Sequence, residues 1–140
     1  MLDAGPLGMI AHPKANEQVI AWLRSMLESG TEVIIPEISD YEVRRSLLRE
    51  GLEPSVRKLD QLKAVLHYSS ITTAVMLQAA QFWADCRRRG RPSCSPDALD
   101  GDVILAAQAR VANAVVVTDN AKHLDELVKV LDWKEHLSSN

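Results

Sequence analysis

Two spacings of apolar residues alternate along the chain, and each predicts a different kind of element. Apolar residues three and four positions apart, separated by polar ones, are typical of helices that bury one face. Short unbroken apolar runs bounded by turn-forming residues are typical of buried strands. The first spacing predicts helices over residues 14–30, 39–51, 54–68, 72–90, 102–113 and 120–131. The second predicts strands over residues 1–3, 31–36 and 114–118, with a brief one at 69–71.

The order of these elements indicates an α/β fold. Strands and helices alternate, and the strands are apolar throughout instead of alternating with polar residues. Such strands are typical of a parallel sheet that is covered by helices on both faces. We therefore expect one α/β domain over residues 1–140, built around a short-stranded and mainly parallel central sheet.

Local signals predict how three parts of the chain are shaped. A Gly-Pro-Leu-Gly sequence at residues 5–8 follows the first strand and predicts a turn. Ser39 and Glu42 have the spacing of a capping box, which predicts a helix that starts at Ser39. Residues 134–140 carry no strong pattern, and we expect a frayed tail there.

Composition and charge argue against several classes of protein. The 140 residues carry a formal net charge of −3, whereas a simple nucleic-acid-binding module usually has a basic surface. Cys86 and Cys94 form neither a zinc pattern nor a disulfide framework. The chain lacks GxGxxG and GxxxxGK[ST], which argues against a Rossmann or P-loop nucleotide site. Without a long apolar run or a signal-peptide pattern, we expect a cytoplasmic protein with no membrane partner.

Four acidic residues fall where parallel sheets bind ligands, at the carboxyl ends of strands and the starts of helices. Asp3 and Asp119 each follow a predicted strand. Glu42 and Asp102 each lie in the first turn of a predicted helix. Each also fits a local role, since Asp3 and Asp119 suit turns and the other two suit helix caps. Together, without Lys or Arg at the same strand ends, they indicate a cation site whose oxygen ligands favour Mg²⁺ or Mn²⁺.

Four segments of the chain resemble the PIN domain family, and within it the VapC-type toxins and their bacterial relatives. They are LDAGPLG at residues 2–8, PEISDYEVRRSLL at 36–48, DGDVILAAQA at 100–109 and VVVTDN at 115–120. The resemblance spans nearly the whole chain in the order and spacing of these motifs. It implies a three-layer α/β/α sandwich and metal-dependent RNA cleavage at three or four acidic residues.

The resemblance also implies which residues hold the metal. It assigns Asp3, Glu42 and Asp102 as catalytic metal ligands. At the fourth position the chain departs from the family, which often has Asp or Asn two residues after the threonine. Asn120 occupies that position here, and Asp119 precedes it by one residue. We expect Asp119 to be the fourth catalytic ligand with Asn120 in an auxiliary role, while the number of metal ions stays open.

Other residues near these motifs are candidates for supporting roles. Thr118 resembles the family's hydroxyl at the same strand end, and Asp100 is a candidate to hold a metal-bound water. Asp97 is expected to be a turn residue. Arg45 lies one helical turn from Glu42 and is a candidate for contacting substrate phosphate, although it also fits a solvated surface arginine. The arginines within residues 87–91 fit either RNA binding or a favourable helix C-terminus.

The function implied by this reading is a Mg²⁺- or Mn²⁺-dependent endoribonuclease, the toxin of a type II toxin-antitoxin pair. Its expected partners are an RNA substrate, a cognate antitoxin protein and a second copy of the chain in a homodimer. The alternative is a PIN-like domain that binds RNA or a partner protein without cutting, and the departure at the fourth acidic position is its best support.

Overall fold

The computed structural model describes residues 1–89, 99–121 and 124–138, in which short strands are surrounded by longer helices. The helices are α1 (Ala4–Ala11), α2 (Glu17–Glu28), α3 (Glu37–Arg49), α4 (Glu53–Val65), α5 (Thr73–Arg88), α6 (Leu99–Ala112) and α7 (Trp133–Ser138). The strands are β1 (Ile34–Pro36), β2 (His67–Ser69), β3 (Val116–Thr118) and β4 (Val130–Asp132). None of these helices is long and apolar enough to cross a membrane.

The strands are parallel, and the N-terminal residues join them into one hydrogen-bonded layer. β1 pairs with β2, and β3 pairs with β4. The N–H of Leu2 donates to the carbonyl of Ile34, and the N–H of Asp3 donates to the carbonyl of Val117, both at 2.9 Å. Because adjacent N–H groups of an extended chain point in opposite directions, residues 1–3 lie between β1 and β3. The order across the layer is therefore β2, β1, residues 1–3, β3 and β4.

Alternate residues of the central strands enter two separate hydrophobic clusters. Leu2, Ile35 and Val117 pack with apolar residues of α1, α2, α3, α4 and α7. Met1, Ile34 and Val116 pack mainly with apolar residues of α5 and α6. The sheet thus has helices on both faces, which confirms the expected α/β/α sandwich with a parallel central sheet.

The turn predicted at residues 5–8 is wrong, because these residues lie in α1. Asp3 is the N-cap of this helix, and its Oδ1 accepts a hydrogen bond from the N–H of Ala4 at 2.7 Å. Pro6 is tolerated because the first four N–H groups of a helix have no partner within it. Leu7 and Ile10 are buried in the core, and this burial favours the helix over a turn.

The capping box predicted at Ser39 and Glu42 is also wrong. α3 begins two residues earlier, at Glu37, and its N-cap Pro36 makes no side-chain capping bond. Ser39 is buried inside the helix, and within the described residues its hydroxyl has no hydrogen-bond partner. Glu42 therefore lies in the second turn, and its carboxylate is available for a role other than capping.

The C-terminal prediction fails in two places. Residues 124–127 form turns and residues 130–132 form β4, where a helix was predicted over 120–131. Val130 and Leu131 pack on different faces of the sheet, so pairing with β3 overrides a helix-like spacing. The tail expected to fray begins instead as α7, whose Trp133 is buried and 1% exposed.

Candidate functional site

The carboxylate of Asp3 is fixed at the carboxyl end of the N-terminal extended segment. Its Oδ2 accepts a hydrogen bond from the hydroxyl of Thr118 at 2.7 Å, and its Oδ1 accepts the N–H of Ala4. Thr118 is fully buried at the end of β3, and its hydroxyl also accepts the N–H of Asn120 at 3.0 Å. The start of α1 and the end of β3 thereby hold the Asp3 carboxylate in place. Asn120 itself is exposed.

The carboxylate of Asp119 lies over the first turn of α1. A Cβ atom placed on Gly5 would come within 2.5 Å of Oδ1 of Asp119, so the absence of a side chain at Gly5 makes room for this carboxylate. Burial raises the pKa of Asp3, two hydrogen bonds oppose the rise, and the negative charge of Asp119 adds to it. Asp119 and Asp3 therefore face the same small region of the sheet edge.

The carboxylate of Glu42 approaches the first turn of α6. A Cβ atom on Gly101 would collide with Oε1 of Glu42, so this glycine makes room for it in the same way. Burial raises the pKa of Glu42, and the charges of Asp3 and Asp102 raise it further while Arg45 lowers it. Like charges that are close and partly buried favour the protonated form. The charges of Asp3 and Asp102 thus both act on Glu42.

The structure brings the four predicted acidic residues to one edge of the sheet, which we call the carboxylate edge: Asp3, Glu42, Asp102 and Asp119. Its donor atoms are carboxylate oxygens, and two glycines leave space for them, so its chemistry fits a hard divalent cation such as Mg²⁺ or Mn²⁺. Within residues 1–89, 99–121 and 124–138, however, no three Asp, Glu, His or Cys side chains are positioned to hold a metal ion together. The carboxylates would have to move closer to one another to ligate one.

The remaining predicted residues surround this edge. α6 begins at Leu99, so Asp100 and Asp102 both lie in its first turn, Asp100 exposed and Asp102 half-buried. Arg45 is exposed on α3, and its guanidinium lies 5.1 Å from the ring centre of Tyr41. Asp97 falls outside the described residues.

Two polar residues that the sequence patterns did not single out anchor the start of α3. Gln108 is 1% exposed; its Oε1 accepts the N–H of Ile38 at 3.1 Å and its Nε2 donates to the carbonyl of Ser69 at 2.8 Å. Glu37 accepts hydrogen bonds from the hydroxyl of Tyr68 at 3.0 Å and from a backbone N–H at 3.2 Å. These bonds fix α3 against α6 and β2, and so they position Glu42. The only signal for Gln108 in the sequence is a lone polar residue within an apolar stretch.

An ionic network between α3 and α4 also stabilises α3. Arg44 donates to both carboxylate oxygens of Asp40, at 3.0 and 3.1 Å, and to Asp60 of α4 at 2.7 Å. These bonds raise the pKa of Arg44 and lower the pKa of Asp60. Asp40 and Asp60 therefore share Arg44 as their cation.

Comparison with known proteins agrees with this architecture. A family model for the PIN domain matches residues 2–129. Among solved structures, VapBC-1 from nontypeable Haemophilus influenzae is 21% identical with a TM-score of 0.73, and the match covers 96% of this chain and 97% of that one. VapBC2 from Rickettsia felis, bound to a DNA fragment from its promoter, is 18% identical with a TM-score of 0.78 and coverages of 95% and 97%. FitAcB from Neisseria gonorrhoeae is 23% identical with a TM-score of 0.62 and coverages of 95% and 96%. No curated protein sequence matches the chain.

Proposed function

The chain belongs to the PIN domain family, and from this premise we propose that it is a metal-dependent endoribonuclease acting at the carboxylate edge. The observation that carries the proposal is the electrostatic coupling of Asp3 to Asp119 and of Glu42 to Asp3 and Asp102. Burial and neighbouring negative charges raise the pKa of Asp3 and of Glu42, so a cation bound beside these two carboxylates would stabilise their charged forms. PIN domains are generally nucleases, and Asp3, Glu42 and Asp102 match the family's acidic motifs, whereas Asp119 lies one residue before the family's fourth position.

The chain's own residues would orient the reaction. A Mg²⁺ or Mn²⁺ ion held by Asp3, Glu42, Asp102 and Asp119 would supply Lewis-acid chemistry, which makes water more acidic and offsets phosphate charge. Thr118 and the N–H of Ala4 hold Asp3 in one orientation through two hydrogen bonds. Gly5 leaves room for the Asp119 carboxylate, and Gly101 leaves room for the Glu42 carboxylate. Asp100 and Asn120 are proposed auxiliary residues, and Arg45 is proposed to contact substrate phosphate.

Metal removal provides the first test. We expect the purified protein to cleave RNA with Mg²⁺ or Mn²⁺, to lose this activity in EDTA and to regain it when the metal is restored. The physical reason is that the proposed ligands are all oxygen atoms, which bind these hard cations. The measurement is the cleavage rate of a labelled RNA by gel analysis, and undiminished cleavage in EDTA would contradict the proposal.

A pair of glycine substitutions in α1 tests whether the site needs the space above Gly5. Gly5→Ala should lower cleavage by about 10–100-fold, because its new methyl group would displace the Asp119 carboxylate. Gly8→Ala is the matched control, since its Cβ would meet only Val43 at an ordinary 3.8 Å. Both changes favour the helix, so neither should reduce the melting temperature much. Equal activity of the two variants would count against a role for Asp119.

A non-catalytic protein that binds RNA or a partner is the second candidate function. It is favoured by the finding that no three acidic, His or Cys side chains of the described residues are positioned to hold a metal together. Titration with Mn²⁺ while following the melting temperature separates the two. A metal site raises the melting temperature by mass action, whereas unconnected surface acids do not.

We further propose that the chain is the toxin of a type II toxin-antitoxin pair and binds a cognate antitoxin protein. The support is its similarity in fold to chains of the VapBC structures, at the levels of identity given above. Co-expression with the product of a small neighbouring gene, followed by co-purification, tests this. Failure of such a product to bind would overturn the antitoxin assignment without affecting the nuclease assignment.

Homodimerisation is part of the same proposal. We expect a dimer at micromolar concentration, because the family resemblance implies two active sites aligned along one groove. Analytical ultracentrifugation distinguishes the dimer from the 15.5 kDa monomer. A monomer alone at those concentrations would contradict the expectation.

A further inference from the structure

The buried side chain of Gln108 caps α3 from a different helix. Pro36 is the N-cap of α3 and makes no side-chain capping bond, so the first N–H groups of this helix need acceptors from elsewhere. The Oε1 of Gln108, on α6, accepts the N–H of Ile38, the second residue of α3. The Nε2 of the same amide donates to the carbonyl of Ser69 at the end of β2. Gln108 thus fixes the start of α3 relative to both α6 and the sheet.

Packing alone does not require an amide at this position. The residues on either side of Gln108, Ala107 and Ala109, are fully buried among apolar side chains. A methionine would fill the space of Gln108 there without burying polar atoms, which costs free energy unless each atom is hydrogen-bonded. The two hydrogen bonds are therefore the contribution that is specific to glutamine.

Gln108 and Glu42 lie along one line of contact between α3 and α6. On α3, Glu42 is one turn after Ile38, and on α6, Gly101 is about two turns before Gln108. Residues with these spacings share a face of a helix. Gln108 bonds Ile38 at one point of the contact, and the carboxylate of Glu42 approaches Gly101 at the other. The two helices therefore run antiparallel here, with a hydrogen bond at one point and the acidic residues at the other.

The separation of these two helices affects the geometry of the carboxylates. Asp102 directly follows Gly101, so a shift of α3 against α6 changes how closely Glu42 approaches Asp102. The charge of Asp102 already acts on Glu42 across this contact. Mg²⁺ requires its oxygen ligands close to an ideal distance of about 2.0–2.1 Å, so small shifts of a ligand weaken its binding.

We propose that Gln108 is a positioning residue for the metal site, and that by bonding Ile38 it sets the approach of Glu42 to Asp102 and hence the affinity for the cation. The proposal rests on the proposed nuclease function, because it uses the ligands assigned there. Gln108 acts through α3, since its two hydrogen bonds go to backbone groups of Ile38 and Ser69.

Gln108→Met is the main test, because it keeps the length of the side chain and removes both hydrogen bonds. We expect calorimetric titration to show a Mn²⁺ affinity about tenfold below wild type, the lower end of the range for groups that support metal ligands. Val19→Ala is the control for a general loss of stability, since Val19 is fully buried on α2 in the other hydrophobic cluster. It should lower the melting temperature and leave the Mn²⁺ affinity unchanged.

Adding Pro36→Ser to Gln108→Met separates positioning from capping. A serine at the N-cap accepts an N–H of the first turn, so it replaces the lost cap but not the bond between α3 and α6. We expect the double variant to regain melting temperature over Gln108→Met while its Mn²⁺ affinity stays low. Recovery of both properties together would show that Gln108 only stabilises α3, and would overturn the proposal. The double variant also supplies a folded protein if Gln108→Met alone is too unstable to titrate.

The outcomes separate this proposal from the nuclease assignment. A wild-type Mn²⁺ affinity in Gln108→Met overturns the positioning role, even if the wild-type protein cleaves RNA. A loss of affinity in both Gln108→Met and the double variant, but not in Val19→Ala, supports the positioning role even if no RNA cleavage is found. A wild-type protein that binds no Mn²⁺ overturns both assignments.

Discussion

Replacing Asp102 with asparagine is expected to lower RNA cleavage by about 100-fold or more while the protein stays folded. The substitution keeps the size of the side chain and removes the charge proposed to hold the metal. The melting temperature of the metal-free protein should stay the same or rise, because the negative charge of Asp102 acts unfavourably on Glu42. Initial cleavage rates with Mn²⁺ and thermal melting in EDTA are the two measurements.

Asp100→Asn is the matched control for this substitution. Both residues lie in the first turn of α6, where a negative charge interacts favourably with the helix dipole. If Asp102 serves only the helix end, both variants should lose a similar small amount of stability and keep their activity. A loss of cleavage that is much larger in Asp102→Asn than in Asp100→Asn, which removes only a proposed auxiliary group, supports the ligand assignment. A marked fall in its melting temperature with activity retained would reject it.

The layered fold followed from the sequence because strand and helix patterns in an α/β protein are repeated and mutually consistent. Apolar strands that do not alternate with polar residues predict a sheet covered on both faces, and two separate hydrophobic clusters flank the sheet. Parallel topology then places Asp3 and Asp119 at the same edge, although 115 residues separate Asp3 from its hydrogen-bond partner Thr118. Convergence of distant carboxylates is thus predictable from topology alone.

Local signals were less reliable where tertiary contacts outweigh them. The glycines and proline at residues 5–8 indicated a turn, but α1 forms because its apolar residues pack into the core. Gly5 is required there for a different reason, since the space that it leaves holds the Asp119 carboxylate. The spacing of Ser39 and Glu42 matched a capping box, yet a buried Gln108 seventy residues away bonds the start of α3. No local pattern contains a contact of that kind.

The other large effect is expected at the fourth acidic position, where the chain departs from its family. In one arrangement Asp119 ligates the metal, and in the other Asn120 does so while Asp119 caps or faces solvent. Asp119 and Asn120 are both exposed, but the Asp119 carboxylate lies over Gly5 and its charge acts on Asp3, whereas Asn120 contacts the site through its backbone N–H, which donates to Thr118. These contacts favour the first arrangement.

Asp119→Asn should therefore weaken Mn²⁺ binding by about 10–100-fold, the range typical of groups that support a metal site. The change removes a full negative charge but keeps a side chain that suits a turn or helix cap, so folding should be preserved. Asn120→Ala is the matched control, and it should leave the Mn²⁺ affinity within about threefold of wild type because it removes no charge. Calorimetric titration of the two variants beside the wild type measures the difference. An unchanged affinity in Asp119→Asn would remove Asp119 from the site, and a large loss in Asn120→Ala would assign the fourth position to Asn120.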